Sequence, residues 1–185
     1  MKKILVIKGS ARENGCTNTI LARALEAVRG VCEVKVFDSY ANPFAFCSGC
    51  GACDESGVCR HRDLDAFMSD FENCDLVITA SPVYNGTFTA PVKALTDRLQ
   101  PYYTWFYSHS KTPKAAKRRK AILLAASGKE GGECAYMEQQ LKFICSVTNI
   151  EFCGTVLCPF TDTLPDIDGA AAEFEKMLKR SLSDE

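Results

Sequence analysis

Apolar residues follow two different periods along this chain, and segments of one kind alternate with segments of the other. Runs rich in apolar residues predict strands at residues 3–8, 75–80, 121–126 and 152–157. Residues 32–37 alternate apolar with charged positions, which predicts a half-covered strand near the edge of a sheet.

The intervening segments carry apolar residues three or four positions apart, which is the spacing of one buried helical face. This spacing predicts helices over residues 17–28, 64–71, 91–99, 137–145 and 174–182. Alternating strands and helices predict an α/β fold, a doubly wound, five-stranded parallel sheet in the order 2-1-3-4-5 with helices on both faces. The length of 185 residues fits one domain, residues 1–185, with a single long irregular insertion at about 39–61.

Charge and composition narrow the range of partners. Lys plus Arg total 22 and Asp plus Glu total 23, which gives a formal net charge of −1 and argues against a nucleic-acid-binding protein. No apolar run approaches the ~18 residues that span a bilayer. The apolar run at residues 4–7 is too short for the core of a signal peptide. We therefore expect a cytoplasmic protein with no nucleic-acid or membrane partner.

The loop after the first predicted strand, residues 9–19, is rich in glycine, hydroxyl and amide groups and leads directly into a helix. Free backbone N–H groups at a helix N-terminus favour an anion, and Ser10, Thr17 and Asn18 can add donors. A terminal phosphate fits this loop, although the same three side chains can instead simply cap the helix. Neither the glycine pattern of a Rossmann dinucleotide site nor that of a P-loop is present.

Two further loops follow the third and fourth predicted strands. Residues 81–88 contain Tyr84, which offers an aromatic face to a flat ring, and the turn residues Asn85 and Gly86. Residues 127–133 are rich in glycine, which lets the backbone approach a ligand closely. Each loop alone is compatible with an ordinary turn. Because all three loops lie at the carboxyl edge of one parallel sheet, together they predict a site for a phosphorylated planar cofactor.

The chain contains eleven cysteines, an odd number, which we interpret as thiols or metal ligands rather than disulfides. Four of them crowd into one segment of the insertion: Cys47, Cys50, Cys53 and Cys59. Thiolates spaced this closely can reach several irons of one cubane cluster, with Gly49, Gly51 and Gly57 permitting the turns, whereas the spacing is tight for structural zinc. Plain thiols or a redox pair are the alternative. Most of the remaining cysteines fall on predicted core faces, and Cys16, at a helix N-terminus, is a candidate reactive thiol.

Three motifs in order carry a resemblance over nearly the whole chain. They are Gly-Ser-x-Arg-x-x-Gly-x-Thr after the first strand, then Ser81-Pro82-Val83-Tyr84, then Pro91, Lys93, Asp97 and Arg98. This order resembles the NADPH-dependent FMN reductase branch of the flavodoxin-like superfamily. The string from Cys47 to Cys59 is similar to the compact cysteine motif of the iron–sulfur flavoproteins in that branch. Two departures are Ala11 in place of a common proline and residues 60–65 in place of paired acids.

The resemblance implies FMN as the cofactor, NAD(P)H as the co-substrate and a [4Fe–4S] cluster as a further cofactor. It implies that the phosphate is held by Ser10, Arg12, Thr17 and Asn18, and that the flavin ring lies along Pro82, Val83, Tyr84, Asn85 and Gly86. We expect Cys16, Ser127, Gly128 and Gly131 to complete the cofactor site, and Cys47, Cys50, Cys53 and Cys59 to hold the metal.

Two other segments invite interpretation. Six basic residues within 111–120 can bind nucleic acid or the extra phosphate of NADPH, but we interpret them as a solvated connection into the fourth strand. Five aromatic residues within 102–107 can line the flavin, fill the core or form a subunit interface. We favour the interface and expect a homodimer or homotetramer.

Three alternative functions therefore follow from the sequence, and we favour the first. The first is an FMN-dependent oxidoreductase that passes electrons from NAD(P)H to a quinone, a flavin or another small-molecule or protein acceptor, with no catalytic acid or base among its residues. The second is an electron carrier with FMN and a [4Fe–4S] cluster that exchanges electrons with ferredoxin-like partners. The third is a binding module stabilised by metal at the cysteine segment.

Overall fold

The computed structural model describes residues 1–130 and 134–183, and its centre is a five-stranded, wholly parallel sheet. The strands are β1 (Lys2–Lys8), β2 (Cys32–Asp38), β3 (Leu76–Pro82), β4 (Arg119–Ala126) and β5 (Ile150–Cys158). Their order is β2-β1-β3-β4-β5, so the predicted topology is confirmed. The order in which successive strands are added reverses between β1 and β3, and this is the switch point at which such sheets bind ligands.

All five predicted helices are present, and the described residues contain two more. The helices are α1 (Cys16–Glu26), α2 (Ala52–Ser56), α3 (Asp65–Asn73), α4 (Ala90–Asp97), α5 (Gln100–Ser108), α6 (Cys134–Val147) and α7 (Ile167–Leu182). Helix α2 lies inside the insertion predicted to be irregular, so that prediction is wrong over five residues. Helix α5 follows α4 almost directly and starts with a proline in its first turn, a position that proline favours.

The alternation of side chains along the strands divides the core into two layers. Leu5 and Ile7 of β1 face a layer formed with α3, α4 and α6, whereas Ile4 and Val6 face a layer formed with α1 and α7. Both faces of the central strands are therefore covered, while β2 is only partly buried, as its alternating pattern predicted. No helix among the described residues has the length and apolar content needed to cross a bilayer.

The basic and aromatic segments each divide between core and surface. Arg119 is 1% exposed at the start of β4 and donates to the carbonyls of Phe71 and Thr148, so the solvated connection is wrong for this residue. Tyr102 is also buried, with its hydroxyl 2.8 Å from Glu72 Oε1. Tyr103, Tyr107 and Phe143 form an exposed aromatic surface. The centre of the Tyr103 ring lies 4.7 Å from that of Tyr107 and 5.9 Å from that of Phe143.

Candidate functional site

Loops that follow β1, β3, β4 and β5 surround an open cavity of about 550 Å³ at the carboxyl edge of the sheet. Its wall consists of Ser10, Arg12, Asn14, Gly15, Cys16, Thr17, Pro82, Val83, Tyr84, Ala126, Gly128, Thr161 and Asp162. The structure thus brings together most of the cofactor-binding residues predicted from three separate loops. We call this space the nucleotide cavity, after the phosphorylated planar cofactor that the sequence predicts at these loops.

The N-terminus of α1 opens onto the nucleotide cavity. The residue that precedes the helix is Gly15, in an extended conformation, and no side chain caps the helix end. Ser10 and Thr17 are buried residues of the wall, and neither of them caps the helix end. An uncapped helix end with two hydroxyl groups beside it is a suitable site for an anion.

Asn18 is bonded to the backbone of the loop after β1. Its side chain is buried, and its amide nitrogen donates to the carbonyls of Arg12 at 2.8 Å and Ser10 at 3.4 Å. These bonds stabilise the conformation of the loop after β1. Asn18 therefore shapes the anion site, and a direct contact between Asn18 and a phosphate stays a prediction.

The first loop is pressed against β3 and α4 by close backbone packing at Gly9. The Gly9 N–H donates to the Ala80 carbonyl at 2.7 Å, and the Gly9 carbonyl accepts from Thr89 Oγ1 at 2.9 Å. A Cβ atom at this position would lie 2.5 Å from Val92 Cγ2. Only glycine fits here, and the close approach fixes where the loop begins.

The loop after β3 contains the tight turn that its Asn-Gly pair predicted. Asn85 and Gly86 have φ angles of 52° and 77°, and Tyr84 and Thr87 exchange backbone hydrogen bonds of 2.9 and 3.1 Å on either side. Two successive positive φ angles are typical of a type I′ turn. The turn holds Tyr84, which is 48% exposed, in the cavity wall, while Asn85 and Gly86 form the tip outside the wall.

The loops after β4 and β5 are joined to each other. Ser127 is buried, and its backbone bonds to Cys158 and Thr161, each at 2.9 Å. A Cβ atom at Gly128 would lie 2.2 Å from Asp162 Oδ2, so the loop after β5 packs directly on the loop after β4. Gly131, also predicted to belong to the site, lies outside the described residues.

Thr161 and Asp162 are wall residues that the sequence analysis missed. The signal for them is that β5 ends at the same edge of the sheet as the other strands, so its loop also borders the cavity.

Electrostatic contacts distinguish two basic residues near this site. Lys8 pairs with Asp38 at 2.9 Å and Glu13 at 3.2 Å, and the bond to Asp38 is the main cause of its raised pKa. Arg12 is exposed and is the basic residue among those that form the described wall. An anionic ligand group is therefore expected beside Arg12 and the end of α1.

A second, smaller cavity of about 110 Å³ lies in the insertion and is lined by all four clustered cysteines, Cys47, Cys50, Cys53 and Cys59. We call this space the cysteine cavity and residues 45–63 around it the cysteine loop. Gly49, Gly51 and Gly57 have φ angles of 63°, 75° and 65°, so the predicted glycine-dependent turns are confirmed. Helix α2 lies between the last two of these glycines.

The thiols of this cavity differ in their surroundings. Cys50 is exposed, and its pKa is lowered mainly by the backbone N–H of Ala52, with Arg60 adding to the effect. Cys53 is half-buried, and burial raises its pKa. In residues 1–130 and 134–183, no three side chains of the metal-binding types converge tightly enough to hold a single metal ion.

Helix α5 and the segment after it contact the cysteine loop and stabilise it. Thr104 Oγ1 donates to the Cys53 carbonyl at 3.3 Å, and Lys114 Nζ donates to the Gly57 carbonyl at 2.8 Å. The Trp105 ring packs on Gly57, where a Cβ atom would lie 3.0 Å from the ring. These contacts hold one wall of the cavity against the core.

The other cysteines mostly pack in the core, as predicted. Cys74, Cys134, Cys145 and Cys158 are buried, whereas Cys153 is exposed. Burial raises the pKa of Cys74 and Cys134 to about 11 and that of Cys145 to about 12, which disfavours the reactive thiolate form. Cys16, the first residue of α1, lies in the wall of the nucleotide cavity.

A doubly wound sheet in the order 2-1-3-4-5 with a ligand cavity at its switch point is the flavodoxin-like fold. The family model of the NADPH-dependent FMN reductases matches residues 2–151, and the chain belongs to this family. Among solved structures, an FMN-dependent NADH-azoreductase from Bacillus anthracis, in complex with FMN, has a TM-score of 0.75 at 15% identity. That match covers 98% of this chain and 100% of the azoreductase chain and supports the fold.

Curated relatives divide between two kinds of protein. An iron–sulfur flavoprotein of Archaeoglobus fulgidus is 33% identical over 142 residues, which are 76% of this chain and 62% of the relative. One of Methanocaldococcus jannaschii is 33% identical over 114 residues, 59% of this chain and 58% of the relative. An FMN-dependent NADH:quinone oxidoreductase of Haemophilus influenzae is 26% identical over 165 residues, covering 82% and 84%. The chain thus spans about three-fifths of the length of the first two relatives.

Proposed function

We propose that this protein is an FMN-dependent oxidoreductase that accepts electrons from NAD(P)H and passes them to a quinone, a flavin or another acceptor. The observation that carries the proposal is the nucleotide cavity, in which an uncapped helix end and an aromatic wall residue share one space at the switch point. Membership of the FMN reductase family and the quinone oxidoreductase relative support the same activity.

The residues of the nucleotide cavity fit FMN at its phosphate end. The first turn of α1 has no side-chain cap, so its backbone N–H groups are available to phosphate oxygens. Ser10 and Thr17 add hydroxyl donors, and Arg12 adds a positive charge. Asn18 holds the loop in this shape through its bonds to two loop carbonyls.

The other end of the cavity suits a flat ring. The Val83 N–H donates to the Ala126 carbonyl at 2.8 Å, which fixes the loop after β3 against β4 and presents Pro82, Val83 and Tyr84 as one wall. When bound, FMN supplies hydride acceptance from a nicotinamide and electron transfer to an acceptor. The role of these residues is to orient the ring and to exclude water from one of its faces.

A second candidate function is that of an iron–sulfur flavoprotein electron carrier, with ferredoxin-like partners. The specific observation is that four thiols on one short loop line one cavity. A [4Fe–4S] cluster takes its four thiolates on separate irons, so its ligands surround the cluster rather than converge on one ion. The cysteines fit such a group, with Cys47, Cys50, Cys53 and Cys59 as its ligands, and a bound cluster supplies single-electron transfer.

The phosphate assignment is tested by comparing FMN with riboflavin, which lacks the phosphate. Ser10→Ala and Thr17→Ala should each weaken FMN about tenfold, since a hydrogen bond to a charged group contributes about 1.5 kcal/mol. Riboflavin affinity should not change. Ser146→Ala, which removes an exposed hydroxyl bonded within α6, is the matched control. Equal losses for FMN and riboflavin would contradict the phosphate site.

The cluster is tested by reconstituting the protein with iron and sulfide under anaerobic conditions. Wild-type protein should gain a broad brown absorbance under the flavin bands, and Cys53→Ser should lose it while FMN affinity stays unchanged. Cys153→Ser changes an exposed cysteine outside the loop and should keep the absorbance. Wild-type protein that remains purely yellow contradicts the cluster and leaves the reductase function alone.

The two functions are separated by their electron donor. Anaerobic mixing with NADH or NADPH should bleach the flavin absorbance within a catalytic turnover if the protein is a reductase. A flavin that stays oxidised with both nucleotides but is reduced by a ferredoxin-like protein favours the electron carrier. Protein that binds no flavin at all favours a binding module.

We further propose a homodimer or homotetramer that buries the exposed aromatic surface of Tyr103, Tyr107 and Phe143. Sedimentation of wild-type protein and of Tyr107→Ser tests this assembly. A monomeric wild-type protein would contradict it.

A further inference from the structure

Arg98 is a buried arginine at the junction of α4 and α5, directly behind the cysteine loop. It is 1% exposed, and its own backbone N–H bonds to the last turn of α4. Its guanidinium donates to the Ala45 and His61 carbonyls, with a distance of 3.0 Å to His61, and to Asp63 Oδ1 at 2.7 Å. The other Asp63 oxygen accepts from the Ala45 N–H at 2.6 Å.

These bonds join the two ends of the cysteine loop. Ala45 lies two residues before the first thiol, Cys47, and His61 lies two residues after the last, Cys59. The side chains of Arg98 and Asp63 together thus fix the separation of the chain entering the loop from the chain leaving it. Closing a flexible segment has an entropic cost that grows with its length. These hydrogen bonds of Arg98 offset this cost, and none of them involves a thiol.

Arg98 also places a positive charge beside the thiols. It lines the cysteine cavity together with Cys59. Burial lowers the pKa of Arg98, but Asp63 and Cys59 raise it by more. Its Nε atom is buried without a hydrogen-bond partner among the described residues. A buried ion pair contributes little net stability relative to apolar packing, so the stability of the fold does not explain why Arg98 is buried here. Its position indicates a role in the cysteine loop.

We propose that Arg98 is the positioning residue of the cysteine loop: it closes the loop before any metal is present and holds a buried positive charge against Cys59. The second part rests on the proposed cluster. A cation beside the ligands favours the more negative, reduced form of a cluster, so Arg98 raises its reduction potential, and Asp63 opposes it.

The loop-closing role is tested on metal-free protein by measuring the alkylation rate of each cysteine by mass spectrometry. Cys47 and Cys59 are half-buried in the closed loop and should react at least tenfold faster in Arg98→Met than in wild-type protein. Cys153 is exposed and should react equally in both, while buried Cys145 should stay unmodified and so reports any global unfolding. Arg62→Met, which removes an exposed arginine of the same segment, should match wild-type rates.

Unchanged rates at Cys47 and Cys59 in Arg98→Met would overturn the closing role. If Cys145 also becomes reactive, the variant has unfolded, and Arg98→Lys then decides the outcome. Lysine keeps the charge but lacks the planar fork of donors, so intermediate rates at Cys47 and Cys59 support the closing role and wild-type rates overturn it.

The charge is tested by redox titration of the reconstituted cluster, followed by electron paramagnetic resonance. Arg98→Met should shift the potential to more negative values, Asp63→Asn should shift it to more positive values, and Arg98→Lys should stay near wild type. If Arg98 and Asp63 act only through the structure of the loop, their two variants should not shift the reduction potential in opposite directions. Shifts of the same sign, or no shifts, therefore overturn the charge role. If wild-type protein takes up no cluster, the cofactor proposal and the charge role are both wrong, while the alkylation rates still decide the closing role.

Discussion

The nucleotide cavity and the cysteine cavity are built in different ways. The nucleotide cavity is formed by loops that leave four neighbouring strands, and backbone hydrogen bonds such as Gly9 to Ala80 and Ser127 to Cys158 tie these loops together. The cysteine cavity belongs to one loop outside the sheet, which is held by the side chains of Arg98, Thr104 and Lys114. The two cavities share no residue in their described walls.

This difference determines how each site responds to substitution. Changes near the nucleotide cavity alter the packing of the sheet, so they affect cofactor binding and global stability together. Changes near the cysteine cavity remove supports of a peripheral loop, so the loop should open while the sheet stays folded.

The largest effect is expected for Gly9→Ala. The added methyl group would lie 2.5 Å from Val92 Cγ2 and 3.0 Å from the Ala80 carbonyl oxygen, so β1, β3 or α4 must move. Overpacking of this kind lowers the free energy of unfolding by about 1–3 kcal/mol. FMN affinity should fall with it, whereas alkylation of Cys47 and Cys59 should not change. Chemical denaturation and flavin titration measure the two quantities.

Gly30→Ala is the matched control for this substitution. Its φ is 77°, and no atom lies within 4 Å of an added Cβ, so it has only the backbone cost of about 1 kcal/mol. FMN affinity should be normal in this variant. If Gly9→Ala binds FMN as wild type does, the close packing under the first loop does not position the cofactor site.

A smaller effect is expected for Gly57→Ala in the cysteine loop. Gly57 has a φ of 65°, and an added Cβ would lie 3.0 Å from Trp105 Cε3, so the variant meets both backbone strain and a ring contact. We expect a loss of about 1–2 kcal/mol in the free energy of unfolding, together with faster alkylation of Cys59. FMN affinity should not change, because the loop is separate from the nucleotide cavity.

Gly49→Ala isolates the contribution of the tryptophan. Gly49 has nearly the same φ, 63°, but nothing lies within 4 Å of its added Cβ. The difference between the two variants therefore measures the Trp105 contact alone. Equal stability and equal alkylation rates in both would show that the α5 contact does not support the loop.

The sheet could be predicted from sequence because its signals are local. The apolar runs of β1 and β3 and the helical spacing of α1 are readable over a few residues, and handedness rules then restrict the topology. Helix α2 escaped prediction because its five residues are too few to show a period. Helix α5 escaped because its aromatic residues are divided between core and surface, as buried Tyr102 and exposed Tyr103 illustrate.

The nucleotide cavity was predictable for the same reason, since strand ends locate its loops. Thr161 and Asp162 carry no motif, and contacts with the loop after β4 place them there: Thr161 bonds to Ser127, and Asp162 packs on Gly128. The supports of the cysteine loop were not predictable, because Arg98 and Ala45 are 53 positions apart in the sequence. Similarly, Arg119 sits in a run of basic residues, and only the fold reveals that it is buried.

The smallest effect concerns the pH dependence of the bond between Arg98 and Asp63. The Arg98 guanidinium lowers the pKa of Asp63 to about 2, from an ordinary value of 3.8. Because the folded-state pKa is depressed, the stabilisation is fully present above about pH 4 and is lost as the pH falls through about 2. Its size should be about 1 kcal/mol, since 32% of the Asp63 side chain is exposed and solvent screens the pair. Wild-type protein should therefore be more stable than Asp63→Asn at neutral pH, and the two should converge only as the pH falls to about 2, in denaturation measured across this range. A difference that stays constant down to pH 2 would mean that the hydrogen bonds to Ala45, and not the charge of Asp63, hold the ends of the cysteine loop together.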